Sequence, residues 1–190
     1  MNRFGDVELD ARGMRAVAHP VRVAILRQLR TRGASTASRL SPEVGASPSV
    51  VSWHLRHLAE HGLVEDAPGD HGGGRSRWWQ MVGRGFRVTV DPESPEAGLA
   101  LFDALQTDEG DVVGEWTAKT RPALEPAWAA QSSRWNTVVE LTVDELHALN
   151  ESTEALLEPF INRSREDQPQ GVRPVRLLRY VLPGVADPHE

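Results

Sequence analysis

Apolar positions in the first sixty residues recur at the three- and four-residue spacing of amphipathic helices. Proline and glycine divide this pattern, because Pro20 suits the first turn of a helix and Gly33 ends one. Further along, Ser47 can cap a helix through its hydroxyl, and Pro48 fits the first helical position. The pattern therefore predicts helices over residues 10–18, residues 20–33, a short segment from about residue 35, and residues 47–61.

Two apolar segments after these helices are typical of strands. Residues 63–65 and 78–82 predict the two arms of a hairpin, and the loop between them contains the triplet Gly72-Gly73-Gly74. A loop so long and so rich in glycine is no tight turn, so we expect a flexible tip. Helices followed by a β-hairpin are the element order of a winged helix-turn-helix domain.

The helix predicted over residues 47–61 has one apolar and one polar face. At about 100° per residue, Val51, Leu55 and Leu58 fall within about 60° of one another and form a buried stripe. The opposite side carries small hydroxyls, an arginine and a large aromatic side chain, which suit the major groove of DNA. An ordinary amphipathic helix with a solvated polar face is the alternative interpretation.

The predicted hairpin loop carries Arg75 and Arg77 beside its glycines. Arginines on such a loop can enter a minor groove or contact phosphates; the alternative is a solvated surface loop. Residues 1–90 carry 13 arginines and 8 acidic side chains, a net charge of +5, whereas residues 91–190 carry −11. A basic half joined to an acidic half indicates that only the first half meets a polyanion.

Three motifs in the basic half resemble the ArsR-like repressors. Residues 16–26 are similar to the Ala-His-Pro-Leu-Arg helix motif of that family, and residues 47–58 follow its recognition-helix pattern, a serine-rich start before Val-Ser-x-His-Leu-x-x-Leu. Gly62-Leu63-Val64 matches the step into the wing. The resemblance covers about residues 9–83 and implies a winged helix-turn-helix regulator that binds DNA.

Two features depart from this family. Its metal-sensing members carry cysteines in the third helix, whereas this chain has no cysteine, which excludes that form of sensing. The chain also continues for about a hundred residues beyond the predicted winged domain. The effector and the target gene of family members therefore do not carry over.

We predict that the recognition helix and the wing contact double-stranded DNA. Trp53 stands where family members often carry a polar or basic group; we expect it to be exposed, able to stack on a sugar or to contact a thymine methyl, with a core position as the alternative. The predicted DNA-contacting residues are Ser47, Pro48, Ser49, Val50, Ser52, Trp53, Arg56, His57, Arg75 and Arg77.

Three histidines of the same helix, His54, His57 and His61, have a spacing by which imidazoles can share a metal. Structural or phosphate-contacting roles are favoured, because this helix is expected to enter DNA. We predict no metal, no cofactor and no catalysis, since the glycine triplet lacks the Lys-Ser/Thr of a phosphate loop. The chain has no apolar run of about 18 residues and no apolar N-terminal stretch, so we predict a cytoplasmic protein without membrane contact.

The acidic half is expected to form a separate domain. Residues 91–95 are typical of a linker, and helices are predicted over residues 95–106 and 110–131, the second interrupted by prolines. The expected fold is α+β and mostly helical, with a winged helix-turn-helix domain over residues 1–90 and an acidic dimerisation or effector domain over residues 91–190.

The end of the acidic half predicts a β-α-β unit. Residues 136–141 and 172–182 have the pattern of strands, and Thr142 and Glu145 form a capping box that opens a helix between them. This unit can serve a dimer interface, or it can contribute to a pocket for a small, partly apolar effector. The aromatic residues that would line such a pocket are Trp116, Trp128 and Phe160.

These patterns together predict a homodimeric, sequence-specific DNA-binding regulator, with repression favoured over activation. Two recognition helices would enter successive major grooves of an inverted repeat, about 34 Å apart. The alternatives are a winged-helix interaction module without specific DNA binding, a ligand-responsive regulator, and an enzyme in the acidic half with a regulatory head.

Overall fold

The computed structural model describes residues 4–69, 76–88, 95–164 and 166–185. Helices dominate, and the strands are short. The elements in chain order are β1 (Val7–Leu9), α1 (Ala11–Val17), α2 (Pro20–Arg32), β2 (Ser35–Thr36), α3 (Ala37–Val44), α4 (Pro48–Glu60), β3 (Val64–Asp66), β4 (Trp78–Met81), β5 (Phe86–Val88), α5 (Pro95–Glu109), α6 (Val112–Glu115), a π-helix (Trp116–Thr120), a 3₁₀-helix (Arg121–Ala123), α7 (Pro126–Ala129) and α8 (Val143–Ile161).

The helices of the first half begin and end where their capping residues predict. The side chain of His19 accepts a hydrogen bond from the amide of Val21, and Pro20 occupies the first turn of α2. Gly45 ends α3 in a left-handed conformation, with φ of 65°, which glycine adopts without steric cost. The predicted boundaries of α1, α2 and α4 and the predicted start of α3 are confirmed to within two residues.

The wing is the predicted hairpin of β3 and β4, extended by a third strand. β4 pairs antiparallel with β3 and also with the two-residue β2, in the order β2-β4-β3. Asp66 lies opposite Trp79 in the register, and Trp79 is buried whereas Trp78 is only half-buried. Successive side chains of β4 therefore point to opposite faces, with Trp79 towards the core.

The hydrophobic core lies between α1, α2, α4, α5 and the wing. Fully buried side chains from each of these helices meet there, among them Met14, Val17, Ile25, Leu55, Leu58, Leu63 and Leu101. Burying an aliphatic side chain of this size stabilises a fold by about 1.5–3 kcal/mol relative to leaving it exposed. The core thus fixes the position of α4, whose outer face carries most of the predicted site.

An N-terminal strand that the sequence analysis missed runs beside the base of the wing. β1 pairs parallel with β5, with Val7 opposite Phe86 and Leu9 opposite Val88. Phe4 and Leu9 are buried. The three-residue strands are shorter than any alternating pattern can reveal, so only their tertiary pairing defines them.

The chain forms two compact units, Met1–Leu146 and His147–Glu190. The first extends well past the boundary expected at residue 90, because α5 packs against α1 and α2. Ala97, Leu101 and Ala104 of α5 are buried, and Asp108 accepts a hydrogen bond from Arg27 Nε at 3.2 Å. Residues 95–109 therefore contribute to the core of the winged domain.

The β-α-β prediction is correct only for its helix. Thr142 Oγ1 accepts from the Glu145 amide, and Glu145 Oε2 accepts from the Thr142 amide at 2.8 Å, which forms the predicted capping box of α8. Residues 136–141 and 172–182, predicted as strands, have no regular secondary structure. A strand exists only when a neighbour accepts and donates its backbone hydrogen bonds, and no described strand of this chain lies beside either segment.

The aromatic residues predicted to line an effector pocket lie in both units. Trp116 and Trp128 are half-buried in the first unit, whereas Phe160 is exposed in the second. The pocket stays a prediction. Among the described residues, no helix is long and apolar enough to cross a membrane.

Candidate nucleic-acid interface

The two faces of α4 differ in burial as its sequence predicts. Val51, Leu55 and Leu58 have no accessible surface, whereas Ser49 and Arg56 are exposed. Ser52 and His57 are half-buried, and Ser47, Pro48 and Val50 are exposed at the start of the helix. The predicted residues of this helix thus form one accessible surface, which we call the α4 face, made of Ser47, Pro48, Ser49, Val50, Ser52, Trp53, Arg56 and His57.

The start of α4 is held by a serine cap. Ser47 Oγ accepts from the Val50 amide at 3.5 Å and lies 3.1 Å from Ser49 Oγ. Pro48 occupies the first turn, where its missing N–H costs nothing. The remaining amides of this turn give the α4 face a partial positive charge that favours an anion.

Replacing Ser47 by alanine is expected to lower the free energy of unfolding by about 1 kcal/mol, because the cap of α4 is lost. Ser47→Asp is the matched control, since a carboxylate caps equally well and stability should stay close to the wild-type value. Urea titrations followed by far-UV circular dichroism measure both. Equal stability of the alanine variant and the wild type would contradict a capping role.

Trp53 is 53% exposed, which confirms the expected outward position. Its ring stacks on the His57 ring, with 5.7 Å between centroids and 9° between planes, and meets the edge of His54 at 4.8 Å. The indole is therefore held in place by the two imidazoles while much of its surface stays open to a partner.

The histidines beneath Trp53 form a packed cluster. His54 is 4% exposed, and its ring lies 4.7 Å from that of His19. Burial, together with the charges of His19, Arg22 and His57, lowers the pKa of His54 to about 4. Burial also lowers the pKa of His57. Within the described ranges, no three His, Asp or Glu side chains lie close enough to hold a metal ion.

One arginine of the wing is fixed at its base. Arg77 Nη2 donates to Asp66 Oδ2 at 2.9 Å, and its guanidinium lies 3.9 Å above the Trp79 ring. This hydrogen bond lowers the pKa of Asp66 and raises that of Arg77. Arg75, the second predicted wing contact, lies outside the described residues.

The wing and the α4 face meet at a small cavity of about 160 Å³. Arg56 and Ser52 of α4, Arg77 of the wing and Ser38 of α3 line it. Arg56 Nη1 donates to Ser52 Oγ at 3.4 Å. The structure therefore places the arginine of the recognition helix next to the described arginine of the wing, although 21 residues separate them in the sequence.

The start of α3 adds groups that the sequence analysis missed. Thr36 Oγ1 accepts from the Arg39 amide at 3.3 Å and caps α3. The Arg39 guanidinium lies 4.5 Å from the centre of the Trp78 ring, so it stands beside the wing. Thr36 could have been recognised in the sequence as the cap of a helix. Only the tertiary fold, however, brings Ser38 and Arg39 to this surface.

Comparison with known proteins finds a related domain in the first half of the chain. A helix-turn-helix domain family matches residues 17–67, which span α2 to β3. A solved structure of a possible transcriptional regulator for arsenical resistance is 30% identical, over 57% of this chain and 95% of its own, with a TM-score of 0.31. No match was found among curated proteins.

Two further solved structures are more distant. A transcriptional regulator from Thermotoga maritima is 14% identical over 76% of this chain and 85% of its own, with a TM-score of 0.31. A MarR family regulator from Neisseria meningitidis is 16% identical over 77% and 79%, with a TM-score of 0.28. The matched helix-turn-helix domain, the 30% identity to one regulator and the order of helices and strands are shared features of one family. The chain belongs to the winged helix-turn-helix transcriptional regulators, which bind DNA.

Proposed function

We propose that the protein represses transcription by binding an inverted-repeat operator as a homodimer. The observation that carries this proposal is the α4 face. Its side chains are accessible while the other side of the same helix has no accessible surface at Val51, Leu55 and Leu58. A helix anchored in this way can enter a major groove without disturbing the core behind it.

Residues in the middle of the α4 face would contact the bases. The guanidinium of Arg56 presents several donors and can bind the O6 and N7 atoms of a guanine together. Its hydrogen bond to Ser52 limits the rotamers it adopts before binding, which lowers the entropy lost on contact. Trp53 offers an apolar surface to a thymine methyl or to a sugar.

Residues at the edges of the same surface would contact phosphates. Arg77 at the wing base, Arg75 in the wing loop and the capped start of α4 would lie along the backbone on either side of the groove. Arg39 and the start of α3 extend this set. The net charge of +5 over residues 1–90 supports it, because each neutralised phosphate releases counterions and strengthens binding at low salt.

Two-fold symmetry sets the expected operator. A dimer that presents two α4 helices to one side of B-DNA needs half-sites about 34 Å apart, one helical turn. Bound at a promoter, such a dimer would exclude the polymerase, which is why repression is proposed. The acidic second half, at −11 over residues 91–190, would be repelled by DNA and would stay away from it.

Selection of binding sites from a random duplex library with the full-length protein tests this function, and Arg56→Ala tests its mechanism. The wild type is expected to enrich an inverted repeat. For Arg56→Ala, the ratio of the dissociation constants for a duplex changed at one base pair and for that repeat is expected to fall about tenfold, because the bidentate contact is lost.

The matched control is Arg30→Ala, which removes an exposed arginine from the end of α2, outside the α4 face and the wing. It should keep the wild-type discrimination. If the wild type and Arg56→Ala discriminate equally between the enriched repeat and the changed duplex, the role of Arg56 in reading bases is contradicted. Failure to enrich any sequence, with binding no stronger than to random duplex, would overturn the proposed function.

A further inference from the structure

An acidic side chain holds the described arginine of the wing by two hydrogen bonds. Arg77 Nε donates to Asp66 Oδ1, and Arg77 Nη2 donates to Asp66 Oδ2 at 2.9 Å. The side chain of Arg77 is 54% exposed and that of Asp66 is 64% exposed. A single ion pair on a surface adds little to stability, whereas two parallel hydrogen bonds fix the orientation of a guanidinium. The main effect of this pair is therefore on where the arginine is held.

A buried ring fixes the same guanidinium from a second side. Trp79 is 2% exposed, and the Arg77 guanidinium lies 3.9 Å from the centre of its ring. Asp66 lies opposite Trp79 in the register of β3 and β4, so the backbone pairing of the wing sets the position of the carboxylate as well. The pose of Arg77 is thus determined by the fold before any partner binds.

Arg77 still has donors to offer at the DNA-binding surface. A guanidinium carries five N–H donors, and the two hydrogen bonds to Asp66 use two of them. Arg77 lines the cavity of about 160 Å³ that Arg56 and Ser52 of α4 also line. A phosphate that enters beside α4 can therefore accept from Arg77, but only at the place where Asp66 holds it.

The carboxylate also changes what Arg77 contributes to binding of DNA in general. Binding to random duplex depends mainly on the number of phosphates that arginine and lysine side chains neutralise. A free arginine can follow the phosphates of any duplex, because its long side chain has many rotamers. An arginine paired with Asp66 has its charge balanced and its rotamers restricted, so it rewards only a duplex whose backbone comes to its fixed position.

We infer that Asp66 is a specificity-determining residue, which holds Arg77 in one pose and thereby weakens binding to DNA whose backbone does not reach that pose. This inference rests on the proposed operator binding and gives the base of the wing a part in selecting the operator. Asp66 acts through Arg77 and is a positioning residue, so its effect must disappear when Arg77 is absent.

Binding of full-length Asp66→Asn to a duplex of random sequence, measured by fluorescence anisotropy across a salt series, tests this inference. Asparagine keeps the size of the side chain but removes its charge and one of the two acceptors, so Arg77 is released. At about 0.1 M salt the dissociation constant is expected to fall about five- to tenfold, and the slope of its logarithm against that of the salt concentration should steepen by about one, because one more phosphate is neutralised.

The matched control is Glu65→Gln, which removes the same charge from the neighbouring residue of β3. Glu65 Oε1 accepts from Gln80 Nε2 at 2.9 Å, so this carboxylate holds an amide and not an arginine. Its random-duplex affinity is expected to change less than about twofold, since salt screens exposed charges. Asp66→Asn combined with Arg77→Ala should likewise stay within about twofold of Arg77→Ala alone, which isolates the coupling between the two residues.

Two results would overturn the inference whether or not an operator exists. One is an equal gain of affinity in Asp66→Asn and Glu65→Gln, and the other is a gain that persists when Arg77 is alanine. Either would be a plain effect of charge. Damage to the wing cannot imitate the expected result, because a misfolded wing would weaken binding to DNA and not strengthen it.

The enriched repeat provides the second measurement. For Asp66→Asn, the ratio of the dissociation constants for random duplex and for the repeat is expected to fall about threefold or more, because freed Arg77 strengthens random binding most. An unchanged ratio would overturn the role of Asp66 in selection. If the wild type enriches no sequence but the gain on random duplex depends on Arg77, the hold of Asp66 on Arg77 is supported and the operator proposal is overturned.

Discussion

Replacing Leu55 by alanine is expected to lower the free energy of unfolding by about 3 kcal/mol. Leu55 has no accessible surface and lies between the recognition helix and the helices behind it. Alanine removes three carbon atoms and leaves a cavity that the neighbours fill only in part, and buried Leu→Ala changes cost roughly 2–5 kcal/mol. Because native domains are stable by about 5–15 kcal/mol, this is a large share of the total.

Two controls isolate the cavity. Leu55→Met nearly conserves volume and should cost less than about 1.5 kcal/mol. Val50→Ala changes an exposed apolar residue of the same helix and should stay within about 0.5 kcal/mol of the wild type. Urea titrations at neutral pH measure all three, and a Leu55→Ala cost no larger than that of Val50→Ala would contradict the buried position.

Leu55→Ala also distinguishes residues that hold α4 in place from residues that contact DNA. Leu55 is buried in the core, whereas Arg56 and Trp53 are exposed on the α4 face. At low temperature, where the variant is still folded, its choice of DNA sequence should therefore be unchanged. The buried stripe holds the helix in place, and the residues of the α4 face determine which DNA sequence it binds.

Sequence alone predicted the winged domain because its local signals agree with its tertiary fold. Ser47, Pro48 and Gly62 mark the ends of α4 by their own conformational preferences, and the apolar stripe between them has helical spacing. The accessible face followed from the same arithmetic. The accessible face of a helix is therefore predictable when that helix is amphipathic.

The parts of the site that come from several elements could not be predicted in this way. Ser38 and Arg77 line the same cavity as Arg56, but α3, α4 and the wing are brought together only by core packing. The same reason applies to β1 and β5, whose three residues each carry no periodic pattern and are defined by pairing across most of the winged domain. The types of these residues were known from the sequence, but which of them are neighbours in the folded protein was not.

The two wrong strand predictions have a different cause. Residues 136–141 and 172–182 contain several valines, which favour strands, but this composition indicates a preference for pairing and not the presence of a neighbouring strand.

Lowering the pH from 7 to 4.5 is expected to lower the free energy of unfolding by roughly 2 kcal/mol through His54 alone. A histidine of the unfolded chain takes up a proton below its ordinary pKa of about 6.5, whereas the pKa of buried His54 is about 4 in the folded protein. The unfolded state therefore binds more protons than the folded state between these two values. Stability from this group is complete above pH 6.5 and falls by about 1.4 kcal/mol per pH unit towards pH 4.

His54→Phe tests this assignment, because phenylalanine keeps a ring of similar shape and carries no titrating group. Its stability, measured by urea titration at pH 7, 6, 5 and 4.5, should fall less steeply than that of the wild type, by roughly 2 kcal/mol over the range. Leu101→Ala removes a buried side chain of α5 without removing a titrating group, so its curve should lie below the wild type by a constant amount. If His54→Phe follows the wild-type slope, the acid sensitivity belongs to other groups. If its slope is shallower as expected, proton uptake by the imidazole of His54 in the unfolded state accounts for this part of the acid sensitivity.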